Sequence, residues 1–248
     1  MKSFAQVNSR KISTDRRGQR ARLSLVPLAL TALLASPLAG AASVSLVISE
    51  VMYNPSGTEP DGEWMEIYNL GGTAITLAGY KIGDEETSGS GEGMMQFPGG
   101  SIAAGGTVVI ANKATTFFTT YGFNPGYELV DTDPTVPEMT KYLAWASGSV
   151  SLANTNDELL LLDGGDVLVD AVSWGSSVFA FDPGTAAVAD GVSLVRLSAN
   201  VDTDTAADWV AADVPTPGQV SAVPLPAAAW LFVSGLLGLV GVARHRRQ

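Results

Sequence analysis

Three glutamates, Glu50, Glu63 and Glu66, fall within two β-rich runs, SLVISEVMY and EWMEIYNLG. Two carboxylates held about 5–10 Å apart can hydrolyse a glycosidic bond, one as general acid and the other as nucleophile or base. Spacing along the chain does not set that separation. The preferred reading is that Glu63 and Glu66 make structural hydrogen bonds to neighbouring loops. Oxygen donors also gather at Asp131-Thr132-Asp133, at Asn154 to Glu158, and at Asp202-Thr203-Asp204 with Asp208. Calcium takes six to eight such ligands. None of these loops has the glycine of an EF-hand, and Asp and Asn cap turns without any ion. A structural calcium ion is thus one expectation and plain turn capping the other. Trp64, Trp145, Trp174 and Trp209 could stack on sugars, but aromatic residues in alternating strands more often fill a core. Trp64 and Trp174 are expected there, and Trp145 has the most polar surroundings.

Other chemistry is ruled out by composition. The chain has no cysteine, which removes thiolate nucleophiles and zinc–thiolate sites. Its single histidine is His245, three residues from the end, so residues 42–221 hold no imidazole for a Ser-His-Asp triad or a histidine metal site.

Short strands separated by turns must carry these side chains. In EWMEIYNLG, Trp64, Glu66 and Tyr68 alternate with Met65 and Ile67, the period-two pattern of a strand with one face in a core. TAITLAGYKI, with Gly79 at a bend, GTVVIAN, ELLLL, VLVDAVSW, GVSLVRL and DWVA read as further strands. Asp163 to Asp166 reads as a hairpin turn between two of them. Residues 114–121 space Phe117, Phe118 and Tyr121 as one or two turns of helix. Residues 83–100 and 127–142 read as loops, the first rich in Gly, Ser and Glu, the second acidic with two prolines. Roughly eight strands and one short helix predict an all-β sandwich.

The motifs ISEVMYNP (48–55), EWMEIYNLG (63–71), LAGYKIGD (77–84), LANTNDELLLLD (152–163), VDAVSWG (169–175), SLVRL (193–197) and DWV…PTPG (208–218) follow one another in order. Together they resemble the lamin-tail domain of bacterial exported proteins. The resemblance implies an immunoglobulin-like β-sandwich, a binding or structural role, and no catalytic residues.

Both ends of the chain point to export. Seven Lys and Arg within residues 1–22 precede an apolar stretch at 23–38 and then Ala39-Gly40-Ala41. This is the layout of a secretory signal peptide with Ala39 and Ala41 at its cleavage site. At the other end, VPLPAAAWLFVSGLLGLVGVARHRRQ places Val223-Pro224-Leu225-Pro226 before an uncharged apolar run, Ala227 to Ala243. Arg244, Arg246 and Arg247 follow and would stop transfer on the cytoplasmic side. The three-part order resembles the PEP-CTERM sorting signal of Gram-negative bacteria, with Leu225 in place of the archetypal glutamate. That resemblance implies processing by an exosortase-type membrane protease. An unprocessed, permanent anchor is the simpler alternative.

The expected organisation is a signal peptide (1–41), a sandwich domain (42–218), a linker with the sorting motif (219–226), a transmembrane helix (227–243) and a basic cytoplasmic tail (244–248). Between the two ends only Lys81, Lys113, Lys141 and Arg196 face 24 acids, a net charge of about −20. Such a domain is repelled by nucleic acid and by anionic lipid. The expected partners are the Sec translocon, an exosortase-type protease, the membrane that holds the precursor, and a surface glycan or protein ligand. No catalytic residue, resident cofactor or nucleic acid is expected. The expected location is the inner membrane for the precursor and the periplasm, cell surface or medium for the mature domain. A small extracellular polysaccharide hydrolase using loop carboxylates is the rival reading.

Overall fold

The computed structural model describes residues 46–89 and 91–220. The expected signal peptide, sorting motif and apolar run lie outside them. Thirteen strands and one α-helix make up the domain. The first seven strands are β1 (Leu46–Met52), β2 (Trp64–Asn69), β3 (Ile75–Thr76), β4 (Lys81–Gly83), β5 (Met94–Gln96), β6 (Ser101–Ile102) and β7 (Thr107–Lys113). Helix α1 (Ala114–Tyr121) follows directly. Then come β8 (Tyr127–Val130), β9 (Thr140–Lys141), β10 (Asp157–Leu162), β11 (Leu168–Trp174), β12 (Ser193–Arg196) and β13 (Trp209–Ala212). No helix among the described residues is long and apolar enough to cross a membrane.

A six-stranded sheet in the order β13-β12-β1-β2-β7-β8 faces a five-stranded sheet in the order β11-β10-β4-β5-β9. The core between them joins Ile48, Val51, Met65, Ile67 and Ile110 of the first sheet to Ile82, Met95, Leu159, Leu161 and Val172 of the second. The expected all-β sandwich is therefore the observed architecture. In β1 the inward residues are Leu46 and Ile48, then Val51, with Tyr53 following just past its end. That change of parity is a bulge between Ile48 and Glu50, which turns Ser49 and Glu50 away from the core.

The strand count corrects the expected eight, and three of the additions lie in the two segments read as loops. Residues 83–100 contain β5, which pairs with β4 in the register Lys81↔Gln96 to Gly83↔Met94. Residues 127–142 contain β8, which runs parallel to β7, and β9, which pairs with β5. These strands have two to four residues, too few to show a period. Gly83 suits the close pairing, since a β-carbon there would collide with the Gly93 carbonyl of the adjacent strand. The run at 73–82 also divides. Its β3 joins β6 in a separate two-stranded ribbon, and Gly79, at φ 86°, makes the turn into β4.

Both outer faces are covered as well, so β2 is buried on its two sides. Trp64 is fully buried, but outside the main core. It packs with Met52, Val109, Ala111 and Phe117 beneath α1 and donates its Nε1–H to Tyr121 Oη at 3.0 Å. Trp174 does lie in the main core, stacked on Tyr53 with centroids 4.2 Å apart. On the second sheet Met94 and Leu162 are covered by Ala146, Tyr142 and Trp145.

Glu128 closes one side of the sandwich. The Glu128 N–H donates to the Pro137 carbonyl and its own carbonyl accepts from Met139, stitching β8 to the segment that leads into β9. Its buried carboxylate accepts from the Ala114 N–H at the start of α1, and from the N–H groups of Thr132 and Asp133, each at 3.0 Å. Burial pushes this carboxyl up, but the Thr132 hydroxyl and those three N–H groups together hold it below its usual range. Removing the acceptor leaves several donors unpaired where water has little access. Glu128→Ala should therefore lower the unfolding free energy by about 3 kcal/mol in urea denaturation, with Glu128→Gln losing less.

Candidate functional site

Glu50 and Glu66 face each other directly across β1 and β2, and both are buried. Each is already engaged. Glu50 accepts from Ser193 Oγ at 2.5 Å, the Thr216 N–H at 3.0 Å and Thr216 Oγ1 at 3.0 Å. Glu66 accepts from Ser49 Oγ at 2.7 Å and from the Gly218 N–H at 2.5 Å. The two carboxylates thus dock the terminal PTPG segment onto the outer face of the first sheet. Glu63 takes the Leu152 N–H at 3.1 Å, tying the entrance of β2 to the loop before β10. Hydrogen bonding to neighbouring loops is what these glutamates do. Burial is the chief cause of the raised pKa values of Glu63, about 8, and Glu66, about 7.

The acidic loops do not converge. Asp133 Oδ1 accepts from the N–H and hydroxyl of Thr135, and Asp208 does the same for Thr203. Asp157 takes the N–H groups of Ala153 and Glu158. Asp202 lies 3.2 Å from Arg196. Side-chain oxygens aimed at adjacent backbone donors are turn caps, the second of the two roles expected of these loops. The carboxylates that do come together were not singled out by sequence. Those of Glu85, Glu86 and Glu92 lie within 4.8 Å of one another. Glu85 is itself tied to the N–H groups of Thr87 and Glu92. Three carboxylates fall short of a calcium shell. The clue in sequence was D-E-E at 84–86 followed by Glu92, the densest acid run in a segment read as a loop.

This group borders a cleft of about 600 Å³ at the rim of the second sheet, lined by Glu86, Glu92, Asp157, Glu158, Val178 and Phe179. No lysine or arginine lines it. Burial raises Glu158 to about 8, reinforced by a hydrogen bond with Glu86, while Ser177 donates a hydroxyl that partly offsets the rise. Asp157 is raised to about 6 and Glu92 to about 7, burial again first and neighbouring acids second. Acids crowded in this way, with no cation among them, favour cations over anions.

The four tryptophans serve packing. Trp145 sits half-buried with its Nε1–H on the Glu85 carbonyl at 2.9 Å, and Trp209 lies under the Arg196 guanidinium, 4.6 Å from its centroid. Of the candidate processing residues, Ala39, Ala41, Val223 to Pro226, Arg244, Arg246 and Arg247 lie outside the described residues.

Two facing sheets, with Glu50, Glu63 and Glu66 spent on backbone and hydroxyl donors, define an all-β sandwich module of the immunoglobulin-like class. The lamin tail domain family matches residues 39–176, and the chain belongs to that family. The same sandwich continues past the matched segment, because β12 pairs with β1 and β13 with β12. A solved structure of similar fold is a DUF4876 family protein from Bacteroides thetaiotaomicron. It is 13% identical with a TM-score of 0.51, over 73% of this chain and 75% of that one, a likeness of fold alone. No curated protein matches the sequence.

Proposed function

We propose that the chain is an exported, non-enzymatic binding or structural module, sorted through its C-terminal stretch. The observation that carries this reading is the state of Glu50, Glu63 and Glu66. These three acids accept hydrogen bonds from Ser193, Thr216, Gly218 and Leu152, and so tie distant parts of the domain together. The proline-bearing tetrad, the apolar run and the arginines at 223–247 support delivery by Sec, transient anchoring in the inner membrane and processing by an exosortase-type protease. Release to the surface or medium follows.

The rival hydrolase now has a different address, since Glu158 and Glu86 line an open cleft whereas Glu63 and Glu66 do not. Incubation of the purified protein with extracellular polysaccharide should release no new reducing ends. Release that vanishes in Glu158→Gln while thermal stability is kept would overturn the binding-module reading. Intact mass of protein from envelope and medium should show a mature form ending between residues 223 and 226. A form ending at Gln248, confined to the envelope, would establish a permanent anchor instead.

A further inference from the structure

The surface around α1 differs from the rest of this acidic domain in having no charge. Residues 114–127, which are α1 and the turn into β8, contain no acid or base, and neither does the chain from Val214 to Ala243. The two stretches adjoin in the fold. Pro215 lines a hollow with Thr116, Thr120 and Tyr121, and a β-carbon added to Gly218 would meet the Phe123 ring at 3.5 Å. The face they make leaves Phe118 51% and Phe123 39% exposed, beside the exposed Thr115 and Thr119. Phe117 lies buried behind it and holds Phe123 edge-on, with centroids 5.2 Å apart.

The chain also leaves the fold from this face. Glu50 and Glu66 pin the N–H groups of Thr216 and Gly218. The apolar run begins at Ala227, nine residues beyond Gly218. Nine residues reach at most about 30 Å when fully extended. Roughly 5–8 Å of that reach is spent crossing the headgroup layer. A domain of this size is about 40 Å across, so the tether is shorter than the body it holds. Anionic headgroups repel the acidic loops within about a Debye length, roughly 10 Å, whereas the uncharged face approaches without that cost.

We infer that in the anchored precursor the face formed by α1, Phe123 and residues 214–218 rests on the lipid headgroup layer. The inference rests on the reading of residues 227–243 as a membrane anchor, and it gives the domain an orientation on the bilayer. Phe118 and Phe123 enter the boundary between headgroups and acyl chains, as apolar side chains of interfacial helices do. The hydroxyls of Thr115 and Thr119 meet the polar headgroups. A charged protein partner would find nothing on this face to pair with.

The chain has no cysteine, so a single introduced one can be labelled alone. Full-length protein carrying Thr119→Cys or Val167→Cys is labelled with a nitrobenzoxadiazole dye and reconstituted into phosphatidylcholine vesicles. The vesicles are prepared with and without a headgroup-spin-labelled lipid in both leaflets. Val167 is the control, 61% exposed beside the β10–β11 turn of the second sheet. The dye at position 119 should shift to the blue and be quenched by the spin label, and the dye at position 167 should do neither. Adding Phe118→Asp should abolish the quenching at position 119 without changing Tm. Equal quenching at the two positions overturns the inference, as does quenching that survives Phe118→Asp. So does self-quenching at position 119 that grows with the protein-to-lipid ratio in unlabelled vesicles, since a second copy would then cover the face. The two readings fail separately: a chain that does not float with the vesicles has no anchor, whereas one that floats with position 119 unquenched loses only this orientation.

Discussion

Replacing Arg196 by methionine should lower the unfolding free energy by about 3–5 kcal/mol, the cost of leaving a buried carboxylate without its partner. Arg196 Nη2 lies 2.7 Å from Asp170, Nη1 lies 3.2 Å from Asp202, and its Nε donates to the Ile48 carbonyl at 3.0 Å. Asp170 takes the Ile48 N–H at 2.7 Å. The β1–β12 pairing begins only at Glu50, after the bulge, so Ile48 has no strand neighbour on that side. Arg196 and Asp170 supply the donor and acceptor that a strand would have given. Burial holds Asp170 up at about 6 despite the pull of Arg196 in the other direction. Without the guanidinium, Asp170 folds comfortably only when protonated, so the loss in Arg196→Met should be larger at pH 8 than at pH 5. A double variant, Arg196→Met with Asp170→Leu, should recover part of the loss, because it removes the orphaned charge while keeping volume. Urea denaturation followed by tryptophan fluorescence measures all three. A single-variant loss below about 1 kcal/mol would mean that the bulge is held by packing alone.

Arg196 shows what was legible in the chain and what was not. Long strands were, because β-branched and other apolar residues recur over six or seven positions, as in β1, β2, β7 and β11. Even the bulge in β1 is written as a change of parity between Ile48 and Val51. The structural role of Glu63 and Glu66 was legible as a pattern, but their partners Leu152 and Gly218 lie 89 and 152 residues away. No local rule points to such partners. For the same reason β8 and β9 were hidden in an acidic, proline-bearing segment: distant backbones hold them, and their own sequence scarcely contributes. Trp64 was legible as buried, but not as lying under α1. Alternation gives two faces without saying what covers the second. The usable signal that went unread was charge inside apolar alternation. Lys81 in GYKIG and Arg196 in SLVRL are rare cations in strands that should have none unless paired.

The same scarcity of cations sets the largest global effect: the domain should be most stable near pH 4–5 and lose stability steadily towards pH 8. Glu63 and Glu158 are raised to about 8, Glu66 and Glu92 to about 7, and Asp157 and Asp170 to about 6, burial being the first cause in each. A carboxyl raised by folding binds its proton more tightly in the native state. Its contribution is complete below the unfolded value of about 4 and is lost as pH rises through the folded value. The counterweights are Glu128 and Asp166, lowered by their hydrogen bonds, whose contribution instead disappears as pH falls below about 4. Maximum stability lies between the two windows. Glu92 is exposed, so solvent screens most of its share, and the enclosed Glu63 and Glu66 dominate the slope. A fall in Tm of roughly 10 °C between pH 5 and pH 8 is expected. Glu63→Gln and Glu66→Gln keep the shape of the protonated acid and should flatten that slope. Salt at 0.5 M should recover only the part due to repulsion among neighbours, since desolvation is not screened. A Tm that rises from pH 5 to pH 8 would show that these acids stay ionised in the fold and are held by their N–H donors more strongly than burial opposes them.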